Sequence, residues 1–243
     1  MEVLLLYSLC FFTVAFLYAA VGHGGASGYL ALMALFGFST AVMKPTALLL
    51  NLMVSLVAFI SFYKAKHFKQ SLLWPLLLGS IPFTYLGSII NITALFYKQL
   101  LGVVLLIAVW RLLFTKAAER EYSSAKWYWL SLAGALIGLV SGMIGMGGGI
   151  LLSPLLLLMG WSGQKQTAAV TAIFIFINSA VGLLVQFNKG FQLGAQIGVI
   201  IVFVGLGGIF GAYLGATRFR SIYMKYILSF VLVLAAIKLF FVK

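Results

Sequence analysis

The sequence predicts an all-α polytopic membrane protein built from two inverted repeats, and three observations predict it. The chain is 64% apolar and 8% charged over 243 residues, where a soluble domain is about 45–50% apolar and about 25% charged. Its apolar residues form long unbroken runs, such as Leu100 to Val109, and lack the alternation of a membrane barrel strand. Short motifs in the first half recur in order in the second. Lipid solvates a surface this apolar and water does not. Within lipid every backbone N–H and C=O needs an internal partner, which leaves helices once the barrel is set aside.

The elements follow in order. Val3–Val21 reads as a retained helix, because Glu2 precedes it and the basic start of a signal peptide is missing. A glycine-rich break at Gly22–Gly28 leads into the short run Tyr29–Met43. Thr46–Tyr63, Ser71–Ile90 and Leu100–Phe114 complete the first half. The second half opens with Trp127–Ile144, breaks at Gly145–Gly149, and continues through the short Ile150–Trp161. Thr167–Phe187, Phe191–Ala216 and Tyr223–Val242 finish it. A crossing takes about 20 residues. Each repeat is therefore expected to hold a glycine-broken helix/short-helix unit followed by three spanning helices, giving eight long and two short segments. The expected boundaries are an N-terminal transmembrane repeat at 1–115, a polar cytoplasmic linker at 116–126 and a C-terminal transmembrane repeat at 127–243.

Three matches carry the duplication. Val21-Gly22-His23-Gly24-Gly25-Ala26 aligns with Ile144-Gly145-Met146-Gly147-Gly148-Gly149, and Lys44-Pro45-Thr46-Ala47 with Lys165-Gln166-Thr167-Ala168. Trp110-Arg111-Leu112-Leu113-Phe114 aligns with Ile237-Lys238-Leu239-Phe240-Phe241. Three matches in the same order point to two copies of one unit.

Charge orients the chain. If each broken unit returns to the side where it began, one face holds Lys64, Lys66, Lys69, Lys116, Arg120, Lys126, Lys165, Arg218, Arg220 and Lys225. The other keeps Lys44, Lys98, Lys189 and Lys243. If the short segments carry the chain onward instead, the division is nearly even. The positive-inside rule selects the first arrangement. It inverts the halves and leaves both termini outside the cytoplasm of the cell (inner) membrane. Arg111 and Lys238, near helix ends, read as snorkelling to the interface.

Composition also excludes functions. A net charge of +13 would suggest nucleic acid in a soluble chain. Here the basic residues fall between apolar runs and read as topology signals and headgroup contacts, so the partners are a lipid bilayer and no nucleic acid. The lone Cys10 permits no internal disulfide and no cysteine metal cluster. The acids are Glu2, Glu119 and Glu121, none deep in a span. Cation carriers and proton relays place carboxylates in the membrane, so the expected cargo is a small anion. Neither a cofactor nor a metal is called for. His23 and Cys10 do not make an acid–base or nucleophile set, so no enzyme is expected.

The candidate binding residues begin with the two breaks. Gly22, Gly24 and Gly25, with Gly145, Gly147, Gly148 and Gly149, weaken helix and let backbone N–H groups turn outward at the start of the next helix. Close helix packing through small residues is the competing use. Thr46, Thr167 and Thr171 lie near the starts of later helices. Their hydroxyls bond between helices or donate to an anion. Asn51 and Asn178 lie deeper, where an unpaired amide is costly. They are out of register between the halves. His23, beside a glycine turn, caps a carbonyl or holds an anion or coupling proton. Pro154 frees a carbonyl in the second short helix. Met143, Met146 and Met159 allow a metal-ion transporter as a distant alternative.

Gly138–Leu158, reading GLVSGMIGMGGGILLSPLLLL, and its looser copy at Ala20–Leu35 resemble the TauE/SafE sulfite exporters of the 4-toluene sulfonate uptake permease group. The resemblance covers nearly the whole chain. It implies transport of small sulfur-containing anions such as sulfite, sulfoacetate or related organosulfonates. Alternating access between inverted repeats, with the site at their interface, is the expected mechanism. An anion channel on the same scaffold is the alternative. His23 in place of Met146, and Ala26 in place of Gly149, mark where the first copy departs from the second.

Overall fold

A computed structural model describes residues 2–90, 125–190, 193 and 197–220, with 222, 223, 226, 227, 230 and 233 beyond them. The expected span Leu100–Phe114, most of the 116–126 linker, most of Tyr223–Val242, and the Trp110–Phe114 and Ile237–Phe241 motifs lie outside the described residues. Among the described residues every regular element is an α-helix.

Eight helices follow in chain order: α1 Glu2–Ala20, α2 Ala26–Leu35, α3 Thr40–Lys64, α4 Gln70–Ile89, α5 Trp127–Ile144, α6 Gly149–Leu158, α7 Gln164–Asn188 and α8 Ile197–Thr217. Five among the described residues are long and apolar enough to cross a membrane, within α3, α4, α5, α7 and α8. The protein is a multi-pass membrane protein. The short helices α2 and α6 have 10 residues each. At about 1.5 Å per residue neither spans a hydrocarbon core of about 30 Å.

One boundary departs from the sequence reading. Lys44-Pro45 was expected to precede the helix at Thr46, yet α3 begins at Thr40 and takes both residues inside. Proline near a helix start costs few bonds. The lysine is tolerated because its ammonium reaches the carbonyl ends of α5.

Helix contacts run crosswise between the halves. α1 packs on α8 and α4 on α5; α3 packs on α7 and α8, and α7 also on α4. The α4–α5 and α1–α8 pairs close through glycine. A methyl at Gly79 would strike the Ser131 carbonyl, one at Gly138 the Ser80 carbonyl, and one at Gly211 the Phe16 carbonyl. Small residues permit this backbone approach in membranes.

The register of those contacts gives direction. Gly134, Gly138 and Gly142 meet Leu76, Ser80 and Thr84, so α4 and α5 are parallel. Gly207, Gly211 and Gly215 meet Phe12, Phe16 and Ala20, so α1 and α8 are parallel too. Asn51 bonds Ser179 while Leu48 meets Gly182, so α3 and α7 are antiparallel. The start of α3 and the end of α7 thus share a face with the ends of α4 and α5. There Lys44 Nζ donates to Gly142 O at 3.2 Å and Lys189 Nζ to Ser88 O at 3.4 Å. On the opposite face Lys165 Nζ donates to Ala216 O at 3.3 Å, and His67 Nε2 lies 3.2 Å from the same oxygen. Each lysine offsets the negative end of a helix dipole.

The outward faces of α4, α5 and α8 expose Trp74, Leu78, Leu136, Val202 and Phe210, as lipid contact requires. Trp127, Tyr128 and Trp129 are exposed at the start of α5, and Lys126 lies 5.8 Å over the Tyr128 ring. Aromatics beside a lysine at a helix start form an interfacial belt.

Candidate functional site

Two glycine turns meet at the middle of α3. The first begins where α1 ends: Gly22 takes φ +78° and Gly25 φ +95°. Glycine adopts this left-handed backbone without the Cβ penalty. The second begins where α5 ends, with Gly145, Gly147 and Gly148 at φ +81°, +67° and +81°. Each turn reverses the chain into a short helix.

Asn51 joins them. Its Oδ1 accepts from Ala26 N at 3.1 Å, capping the start of α2. Its Nδ2 donates to Ser179 Oγ on α7 at 2.7 Å and, at 3.5 Å, to Met146 O in the second turn. One buried side chain thus touches both turns and both central helices. A methyl at Gly24 would collide with Asn51, and one at Gly147 would lie 2.6 Å from Ser179 Oγ and 2.7 Å from Asn51 Nδ2.

His23 makes the second bridge. Nε2 lies 3.0 Å from Gly149 O and Nδ1 3.1 Å from Val21 O. A neutral imidazole has one N–H, so it donates to one of these carbonyls at a time. The Tyr18 ring meets the imidazole edge-on, with centroids 6.3 Å apart.

The turns are tightly set. Gly22 presses on the Ala168 backbone of α7, Gly25 on the Tyr29 ring, Gly145 on the Lys44 stem, Gly148 on Ile137 and Phe174, and Gly149 on Ile175. Yet the amides of Gly24, Gly25, Gly147 and Gly148 find no acceptor among the described residues. All four glycines are buried. Buried backbone donors are nearly always paired, so unpaired ones beside two helix starts have the donor chemistry of an anion site. Three buried hydroxyls are equally unpartnered among the described residues: Tyr29 OH, Thr46 Oγ1 and, between α4 and α5, Ser80 Oγ. Tyr29 OH would lie 2.7 Å from a methyl at Gly25.

The remaining expected residues divide. Thr171 Oγ1 bonds Ser153 Oγ of α6 at 3.0 Å, the interhelical role, whereas Thr167 Oγ1 bonds Ser162 Oγ at 2.7 Å in the loop that leads into its own helix. Asn178 turns to α4, accepting from Thr84 Oγ1 at 2.7 Å and donating to Phe174 O at 3.0 Å, and so stands apart from the Asn51 junction. Pro154 lies inside α6. Tyr29 and the Tyr18–Ser27 pair, 2.7 Å between oxygens, belong to the junction and were not among the candidates. Of the neighbours Asn178 and Ser179, polar residues inside one apolar run, it is Ser179 that reaches Asn51. Among the described residues no group of three or more His, Cys, Asp or Glu gathers as a metal site would.

The family described as sulfite exporter TauE/SafE matches residues 7–239. A Sinorhizobium fredii protein described as a probable membrane transporter protein is 34% identical over 239 residues, covering 96% of each chain. No solved structure matches.

Proposed function

The chain belongs to the TauE/SafE sulfite exporter family of membrane transporters, and from that premise we propose that it carries small sulfur-containing anions, such as sulfite, sulfoacetate or related organosulfonates, by alternating access between two inverted repeats. One observation carries the reading: the two glycine turns converge on Asn51 with the Gly24, Gly25, Gly147 and Gly148 amides open. Those amides, with Tyr29 OH and Thr46 Oγ1, are neutral donors suited to sulfonyl or sulfite oxygens. No Asp or Glu occurs in α2 to α8, so nothing on these helices repels a negative cargo.

The halves would move against each other about the α3–α7 crossing. The antiparallel course of α3 and α7, and the crosswise pairs α1–α8 and α4–α5, support inverted repeats at 1–115 and 127–243 joined by 116–126. In that reading the face bearing Lys165, His67 and Arg218 is cytoplasmic, the opposite face carries Lys44 and Lys189, and both termini lie outside the cytoplasm of the inner membrane.

Thermal unfolding of purified protein with sulfite, sulfoacetate, thiosulfate, sulfate and acetate tests the cargo. A ligand that binds the folded state at 100 times its Kd adds about 2.7 kcal/mol of stability. Sulfite or a sulfonate should raise the Tm and acetate should not. Saturable flux of the same ligand in vesicles identifies a carrier, and unsaturating single-channel current would replace it with a channel. No shift and no flux with any sulfur anion would end the reading.

A further inference from the structure

We propose that Lys44 and Lys189 form an anion-docking site at the mouth of the pathway, on the face where α4 and α5 end, which receives a small oxyanion before it reaches the glycine turns. The proposal rests on the anion-transport reading above. Lys44 comes from the start of α3 and Lys189 from the end of α7. Lys44 Nζ donates to Gly142 O at 3.2 Å and Met143 O at 3.3 Å. Lys189 Nζ donates to Ser88 O at 3.4 Å, and Ser88 Oγ donates back to Gly142 O at 3.4 Å. A short chain of polar atoms therefore links the two ammonium groups, and each charge acts on the other.

Helix capping accounts for what each lysine touches but not for the sum of charge. Two helix ends contribute roughly −0.5 each, so two ammoniums leave about one positive charge over. None of α3, α4, α5 and α7, which build the cluster, carries an Asp or a Glu to absorb it. Lysine is also scarce on this face in the orientation given above, where the topology rule gives it no purpose. The placement adds a route. The helices that carry Lys44 and Lys189 also carry Asn51 and Ser179, and between these two levels the buried Leu48 packs on Gly182, whose missing side chain leaves it room. An anion held at the lysines waits above that apolar contact, and parting α3 from α7 would admit it to the turns.

Flux of labelled sulfite into proteoliposomes, measured against concentration and salt, tests this. K189Q, whose parent side chain is exposed, should raise KM several-fold. The K44Q/K189Q double variant should raise it about tenfold, the low end of electrostatic focusing, and flatten its dependence on ionic strength. K126Q, on the opposite face, should match wild type. A double variant that transports with unchanged KM and salt dependence overturns the docking site and leaves the transport reading intact. Wild-type vesicles that move no sulfur anion overturn both.

Discussion

The two glycine turns share left-handed backbone at Gly22 and Gly145 and at Gly25 and Gly148, part at Gly24 and Gly147, and differ in almost everything around it. Gly22-His23-Gly24-Gly25 is surrounded by polar side chains: His23 itself, Tyr29, the Tyr18–Ser27 pair and Asn51. Gly145 to Gly149 is walled by Ile137, Phe174 and Ile175 and contributes mainly carbonyls, those of Met146 and Gly149. Both turns reverse the chain and leave amides unpaired among the described residues, while the polar side chains gather at the first. Even the Ala26 departure fits. A methyl at Gly149 would strike Ile175, whereas Ala26 faces Asn51 with its N–H alone.

The largest expected effect asks whether the second turn is held by its backbone. G147A places a methyl on a left-handed residue, costing about 1–2 kcal/mol, and drives it against Ser179 and Asn51. G190A is the control: its φ is +70° and nothing lies within 4 Å of the added methyl. G147A should lower the detergent-solubilised Tm far more than G190A. Equal shifts would mean that the turn is not pinned at the junction.

Asn51 comes next, because it serves both turns at once. N51A leaves Ala26 N–H without its cap and Ser179 without its donor, and each buried group left unsatisfied costs about 1–3 kcal/mol. S179A removes one partner and should cost about 1 kcal/mol. The double variant should cost less than the two singles summed, since they share a bond. Strict additivity in unfolding measurements would separate Asn51 from the second turn.

How much of this the sequence could give depends on the range of the interaction. Composition and apolar runs dictated a helical membrane protein because lipid acts on every residue alike. The breaks were legible at Gly22 and Gly145 because a glycine cluster is a local signal. The turns' surroundings were not, since Asn51 meets Ser179 and Met146 across the halves. Register in the duplicated motifs paired neither, and Asn178, out of register with Asn51, sends its bonds to Thr84 and Phe174. The start of α3 was misplaced for the same reason. Lys44 reads as a loop residue until the carbonyl end of α5 is beside it.

The smallest stability effect carries the sharpest test of the division between turns. H23M gives the first turn the residue that the second already has at Met146. It removes the imidazole bond to Gly149 O, worth about 0.5–1.5 kcal/mol. The loss should sit at the low end, because that carbonyl also opens the first turn of α6 and has a helical donor of its own. Methionine fills an irregular apolar gap well, so the fold should persist and the Tm should fall by little. Anion-dependent stabilisation should fall much further, because the first turn then loses its only ring donor next to the open Gly24 and Gly25 amides. If H23M keeps wild-type ligand stabilisation, the imidazole is only a strut between the turns, and selectivity must lie in the backbone they share.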